Sequence, residues 1–135
     1  MYINSIFIVI PGVPIPAARP RVTKWGTYNP KAKELRDISH IIKEQVDGKI
    51  SIEPIALEIS FFMPIPKGLS KKKHSELKGK PHAKRPDLDN LLKMSLDSML
   101  NVLFVDDSQV YEITASKLYS ETPRTEITMV EYKKL

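Results

Sequence analysis

The chain contains no cysteine. That excludes disulfides and thiolate metal sites, and it gives no reason to expect an oxidising compartment, so the cytoplasm is the default expectation. Long hydrophobic runs are also missing. The apolar stretch from Ile6 to Ile10 is far too short to span a bilayer, and the N-terminus lacks the basic flank and small-residue cleavage site of a signal peptide. Acidic residues are absent from the first 33 positions. Arg19, Arg21, Lys24, Lys31 and Lys33 all precede the first acid, Glu34. A second stretch is nearly as bare. Lys67, Lys71, Lys72, Lys73, Lys78, Lys80, Lys84 and Arg85 face only Glu76, a local charge of +7 against +5 for the whole chain. Basic charge concentrated in two segments favours an anionic partner.

With 135 residues, 41% hydrophobic and 27% charged, the chain has the size and composition of one globular domain spanning 1–135. Residues 3–10 are isoleucine-rich and bounded by Pro11 and Gly12, which predicts a buried strand. An irregular proline-rich loop follows, carrying Arg19, Arg21, Lys24, Trp25 and Tyr28. For Trp25 and Tyr28 a place covering the core is the favoured expectation, with stacking on exposed bases the alternative. Asn29-Pro30 reads as a helix start, and Leu35, Ile38, Ile42 and Val46 keep one helical face until Gly48. Alternation from Ile55 to Met63 predicts a strand closed by Pro64 and Pro66. Residues 65–86 read as a basic, mobile loop. A leucine stripe from Leu88 to Leu100 predicts a helix over 88–101, and strands are expected at 109–119 and 124–132. The order β-α-β-α-β-β implies an α+β domain with a mixed sheet and two main helices.

Five of the sixteen acids lie between Asp87 and Asp107, immediately after the most basic stretch. Pro86 biases Arg85 toward extended backbone, so Asp87 and Asp89 can converge if the chain is still extended at Asp87. Asp89, Lys93 and Asp97 then share a helical face, bringing Lys93 within reach of whatever Asp89 binds. A carboxylate from Asp106 or Asp107 could complete an all-oxygen cage, which suits magnesium or manganese better than zinc. Each element also has an ordinary explanation: Asp87 or Asp89 as a helix cap, Lys93 as an ion-pair partner, Asp106-Asp107-Ser108 as turn chemistry. His40, His74 and His82 are scattered and suggest surface or core roles.

Taken together, Lys84-Arg85-Pro86-Asp87-Leu88-Asp89-Asn90-Leu91-Leu92-Lys93, Asp97 and Phe104-Val105-Asp106-Asp107-Ser108-Gln109-Val110 resemble the signature of RusA-type Holliday-junction resolvases. The resemblance implies a magnesium-dependent homodimer that nicks two strands of a four-way DNA junction in recombination and repair. It implies catalytic, metal-holding Asp87, Asp89 and Asp107 and a catalytic Lys93, with Asp106 as a helper; Asn90, beside Asp89, is the candidate to orient an aspartate or a metal-bound water. Arg19, Arg21, Lys71, Lys72, Lys73, Lys84 and Arg85 are the expected DNA contacts. The competing readings are a DNA-binding module without activity and a metal-dependent nuclease indifferent to junctions. Strand residues from Val110 to Leu118 and the apolar face of the last strand are the candidates for burial at a dimer interface, with a place in the core the alternative.

Overall fold

The computed structural model describes residues 2–133. The elements are β1 (Tyr2–Pro11), β2 (Arg21–Thr23), β3 (Gly26–Tyr28), α1 (Ala32–Glu44), β4 (Ile55–Pro64), α2 (Lys71–Leu77), α3 (Leu88–Met99), β5 (Val110–Ser120) and β6 (Arg124–Lys133), with a 3-10 turn at Asp107–Gln109. Strands run in the order β1-β6-β4-β5. β6 is antiparallel to both β1 and β4, while β4 and β5 are parallel, so this is the mixed sheet expected of the pattern. β5 and β6 are neighbours in sequence but lie on opposite sides of β4, and their link crosses its end.

Alternation places Ile55, Leu57, Ile59, Phe61 and Met63 of β4 on one buried face, joined there by Ile127 and Met129 of β6. The apolar face of the last strand is therefore core and not a dimer surface. α1 and α3 cover this face. Their apolar stripes supply Ile38, Ile42, Leu91, Met94 and Met99, and the small buried Ser95 and Ser98 let the helices approach closely. The Ser39 hydroxyl donates across that contact to the Ser98 carbonyl at 3.0 Å.

Four local expectations are corrected. α1 begins at Ala32, because the Asn29 side chain accepts the Lys31 N–H in a turn of its own and Lys31 takes the cap position. α1 ends at Glu44, well before Gly48. α3 stops at Met99, where Asn101 adopts φ 63 and its N–H bonds the Phe104 carbonyl, so Leu103 is buried from a turn. The stretch read as irregular loop at 65–86 contains α2, capped by Ser70. It then runs along the β5 edge. Gly79 donates to Tyr119, Tyr119 to Lys80, and His82 to Lys117, at 2.9 to 3.0 Å. A stretch so poor in apolar residues carries no helical periodicity to read; backbone pairing and the ion pair of Lys78 with Glu121 place it.

Candidate active site

Asp87 occupies the N-cap position of α3 with extended backbone (φ −68, ψ 144), which meets the condition for converging with Asp89. Its side chain makes no cap hydrogen bond. Asp89 lies in the first turn, where the helix dipole favours a negative charge. Asp87, Arg85, Pro86 and Asn90 line an open cleft with Pro16 and Ala17. The Ala17 N–H donates to the Asn90 carbonyl at 2.9 Å, which fastens the N-terminal segment to the start of α3. The Arg85–Pro86 bond is cis.

Asp106 and Asp107 behave differently. The Asp106 carboxylate accepts the Ser108 N–H at 2.8 Å, and this bond holds it below the usual carboxylate range. The ordinary turn reading thus applies to Asp106. The carboxylates of Asp87, Asp89 and Asp107 have no hydrogen bond or ion pair among the described residues. Lys93, one turn further along α3 than Asp89, is exposed and pairs with Asp97 at 3.3 Å.

Two side chains hold these segments in place. Gln109 accepts the N–H groups of Val105 and Asp106 at 2.9 Å and donates to the carbonyls of Ser51 and Glu53 at 2.9 and 3.0 Å. All its amide atoms are used, locking the Asp106-Asp107 turn to the chain entering β4. Lys117 does the same for the other aspartates. Its ammonium donates to the carbonyls of Lys84 and Pro86 at 2.6 and 2.7 Å, directly before Asp87. Sequence reasoning missed Lys117, although a signal existed. It stands beside Phe61, in the inward phase of β5 shared by Ile113, Ala115 and Tyr119, where an alternating strand should carry an apolar residue.

The same two anchors show what one chain leaves apart. Asp107 is tied to the Ile55 end of the sheet, and Asp87 to the Phe61 end. The strand from Ile55 to Phe61 covers about 20 Å, and the 12 residues of α3 that separate the same two points cover about 18 Å. Magnesium binds its oxygens at about 2.1 Å, so its ligands must nearly touch one another. Among the described residues no three His, Asp or Glu side chains are grouped closely enough to hold a metal ion. Free carboxylates suit magnesium chemically, but a single chain brings only Asp87 and Asp89 to one end.

The expected DNA contacts are all exposed. Lys84 and Arg85 flank the cleft, Lys71, Lys72 and Lys73 form the first turn of α2, and Arg19 and Arg21 lead into the β2–β3 hairpin. Trp25 is 87% exposed at the tip of that hairpin and Tyr28 48% exposed at its base, so neither covers the core. No helix among the described residues is long and apolar enough to cross a membrane.

Residues 11–130 match the family model described as Endodeoxyribonuclease RusA. The chain is also 32% identical to the uncharacterized protein YqaN of Bacillus subtilis over 139 residues, an alignment covering 95% of this chain and 97% of that protein.

Proposed function

Because the chain belongs to the RusA family of endodeoxyribonucleases, whose members are Holliday-junction resolvases, we propose that it is a magnesium-dependent homodimer that resolves four-way junctions by paired nicks. The observation that carries the reading is the trio of unpaired, exposed carboxylates, Asp87, Asp89 and Asp107, of which Asp87 and Asp89 directly follow the basic segment that ends at Arg85. Carboxylates left without a partner next to so many cations are poor structural elements but good ligands for a hard divalent ion.

Asp87 and Asp89 would hold magnesium (manganese being the other ion this donor set suits) together with the partner's Asp107. The support is topological. β5 is an edge strand, and only its far end, near Lys117 and Tyr119, is covered by residues 79–82. Tyr111 and Ile113 are exposed on the open part. If two copies pair their β5 edges antiparallel about Ile113, Asp107 on one lies opposite Tyr119 on the other, at the end where Lys117 pins Pro86. A two-fold axis makes two such sites at once.

When bound, magnesium lowers the pKa of water and offsets charge on the phosphate oxygens. The protein's own part is to place the DNA. Lys93 offsets phosphate charge, and the Asn90 side chain, exposed beside Asp87, orients the aspartate. Asp106 helps by capping the turn that carries Asp107. Arg19, Arg21, Lys71, Lys72, Lys73, Lys84 and Arg85 hold the backbone against the repulsion of the aspartates. The test is cleavage of matched four-way junction, duplex and single-stranded DNA with and without magnesium. Nicking confined to the junction and requiring the metal is expected. Equal cutting of duplex would leave only a general nuclease, and binding without cutting would leave a DNA-binding module.

A further inference from the structure

The β2–β3 hairpin has no part in holding the aspartates, and residues 21–29 are exposed throughout. Its construction is nevertheless specific. Arg21 pairs with Tyr28 and Thr23 with Gly26, leaving Lys24 and Trp25 as the turn. The Thr23 hydroxyl accepts the Trp25 N–H at 3.2 Å and donates to the Gly26 carbonyl at 3.0 Å. Gly26 adopts φ +127, a conformation that a side chain would strain. The turn is thus fixed and holds the indole out into solvent, with the Lys24 ammonium 5.1 Å from the ring centre. Four residues before the hairpin, Ala17 is fastened to Asn90 in the lip of the Asp87 cleft. The hairpin therefore rises from the end of the molecule that carries Asp87.

We propose that this tip is a stacking element for a base left without a stacking neighbour at the branch point of branched DNA: Trp25 lies against the base face while Arg21 and Lys24 take the flanking phosphates. The proposal rests on the branched-DNA reading of the cleft and assigns it a way to sense a junction. The charge selects the partner, since Arg19, Arg21, Lys24 and Lys31 surround the tip in a segment without a single acid. The ring selects the structure. In a duplex the base faces are occupied by their neighbours, whereas a branch point offers bases that an aromatic ring can stack on at little cost.

Trp25 is the only tryptophan, so its fluorescence reports this tip alone. Full-length protein is titrated, magnesium omitted to keep substrates intact, with a four-way junction and with a matched duplex, and affinities are measured for wild type, Trp25→Phe and Trp25→Ala. Emission should fall on junction binding and change little on the duplex. Trp25→Ala should weaken junction binding by about 5- to 150-fold, the range expected for loss of one stacked base, while Trp25→Phe keeps most of it. Equal quenching by both substrates, or unchanged junction affinity in Trp25→Ala, overturns the proposal, as does an emission change that follows protein concentration without DNA. If wild type cuts junctions and Trp25→Ala binds them as tightly, only the stacking role fails. If wild type neither binds nor cuts junctions, the functional reading fails with it.

Discussion

Two adjacent aspartates show how far residue type alone can carry an argument. Asp106 and Asp107 are chemically identical, yet Asp106 is used up by the Ser108 N–H and Asp107 is free. Asp107→Asn should therefore abolish cleavage, as should Asp87→Asn and Asp89→Asn, with DNA binding retained or tightened because a charge that repels phosphate is gone. Asp106→Asn keeps a hydrogen-bond acceptor at the cap and should cut at a reduced rate; Asp106→Ala should also melt at a lower temperature, because the Ser108 N–H loses its acceptor. Cleavage assays beside thermal melts check this, and a dead Asp106→Asn with an active Asp107→Asn would reverse the assignment. His82 makes a second residue-level case. Burial, then the charges of Lys117 and Lys84, lower its pKa, and its Nδ1 is buried without a partner. A lowered histidine pKa means that the native state favours the neutral ring. Its contribution to stability is complete above the ordinary value of about 6.5 and is lost as pH falls through the folded value. Protection of the Tyr119 and His82 amides, measured relative to the intrinsic exchange rate at each pH, should fall on acidification, and His82→Phe should flatten that dependence; the same fall in His82→Phe would assign it to another group.

At the scale of elements, legibility follows the strength of the periodic signal. α3 was readable because its leucine stripe matches the 3.6-residue period, and β4 because its alternation matches the pleat. α2 and the hairpin were not, because neither buries an apolar face: α2 has no buried residue and every hairpin residue is exposed. Trp25 was expected against the core for the same reason, since composition cannot tell which aromatic a turn will hold outward. The sequence order of Asp87, Asp89 and Asp107 was legible from their motif. Their separation along α3 was not, because sequence gives no distance between the two ends of a helix until its direction against the sheet is known. Lys117 links the two kinds of element by holding the segment before α3 from the edge of the sheet. Lys117→Met keeps the aliphatic stem beside Phe61 but frees the Lys84 and Pro86 carbonyls. It should lower kcat by about tenfold or more, as a misplacement of catalytic groups by an ångström can, with KM little changed, and Lys117→Arg should recover part of the loss. A fall in melting temperature with normal kcat would make Lys117 a structural strut only.

For the whole molecule, the distance between Asp107 and the Asp87 end of α3 sets the decisive question. About 20 Å along one strand cannot be closed by side-chain rotation, so either one chain cuts with Asp87 and Asp89 alone or a second copy supplies the missing carboxylate. Mixing two inactive proteins separates the cases. In a heterodimer of Asp87→Asn and Asp107→Asn, a shared arrangement puts both substitutions into one site and leaves the other intact, with Asp87 of one copy meeting Asp107 of its partner. If each site lies within one chain, both remain damaged. After mixing and subunit exchange, activity should reappear from two dead preparations, limited to about half the molecules when exchange is random, as simple dimer statistics under a two-fold axis require. The product carries further information. With one working site per dimer, a junction extruded from a supercoiled plasmid should give nicked circles, whereas wild type, with two sites acting within one binding event, should give linear DNA. No recovery on mixing, once exchange is shown by mass measurement, would exclude the shared site, and a wild-type protein that is monomeric at assay concentration would exclude the paired cut itself.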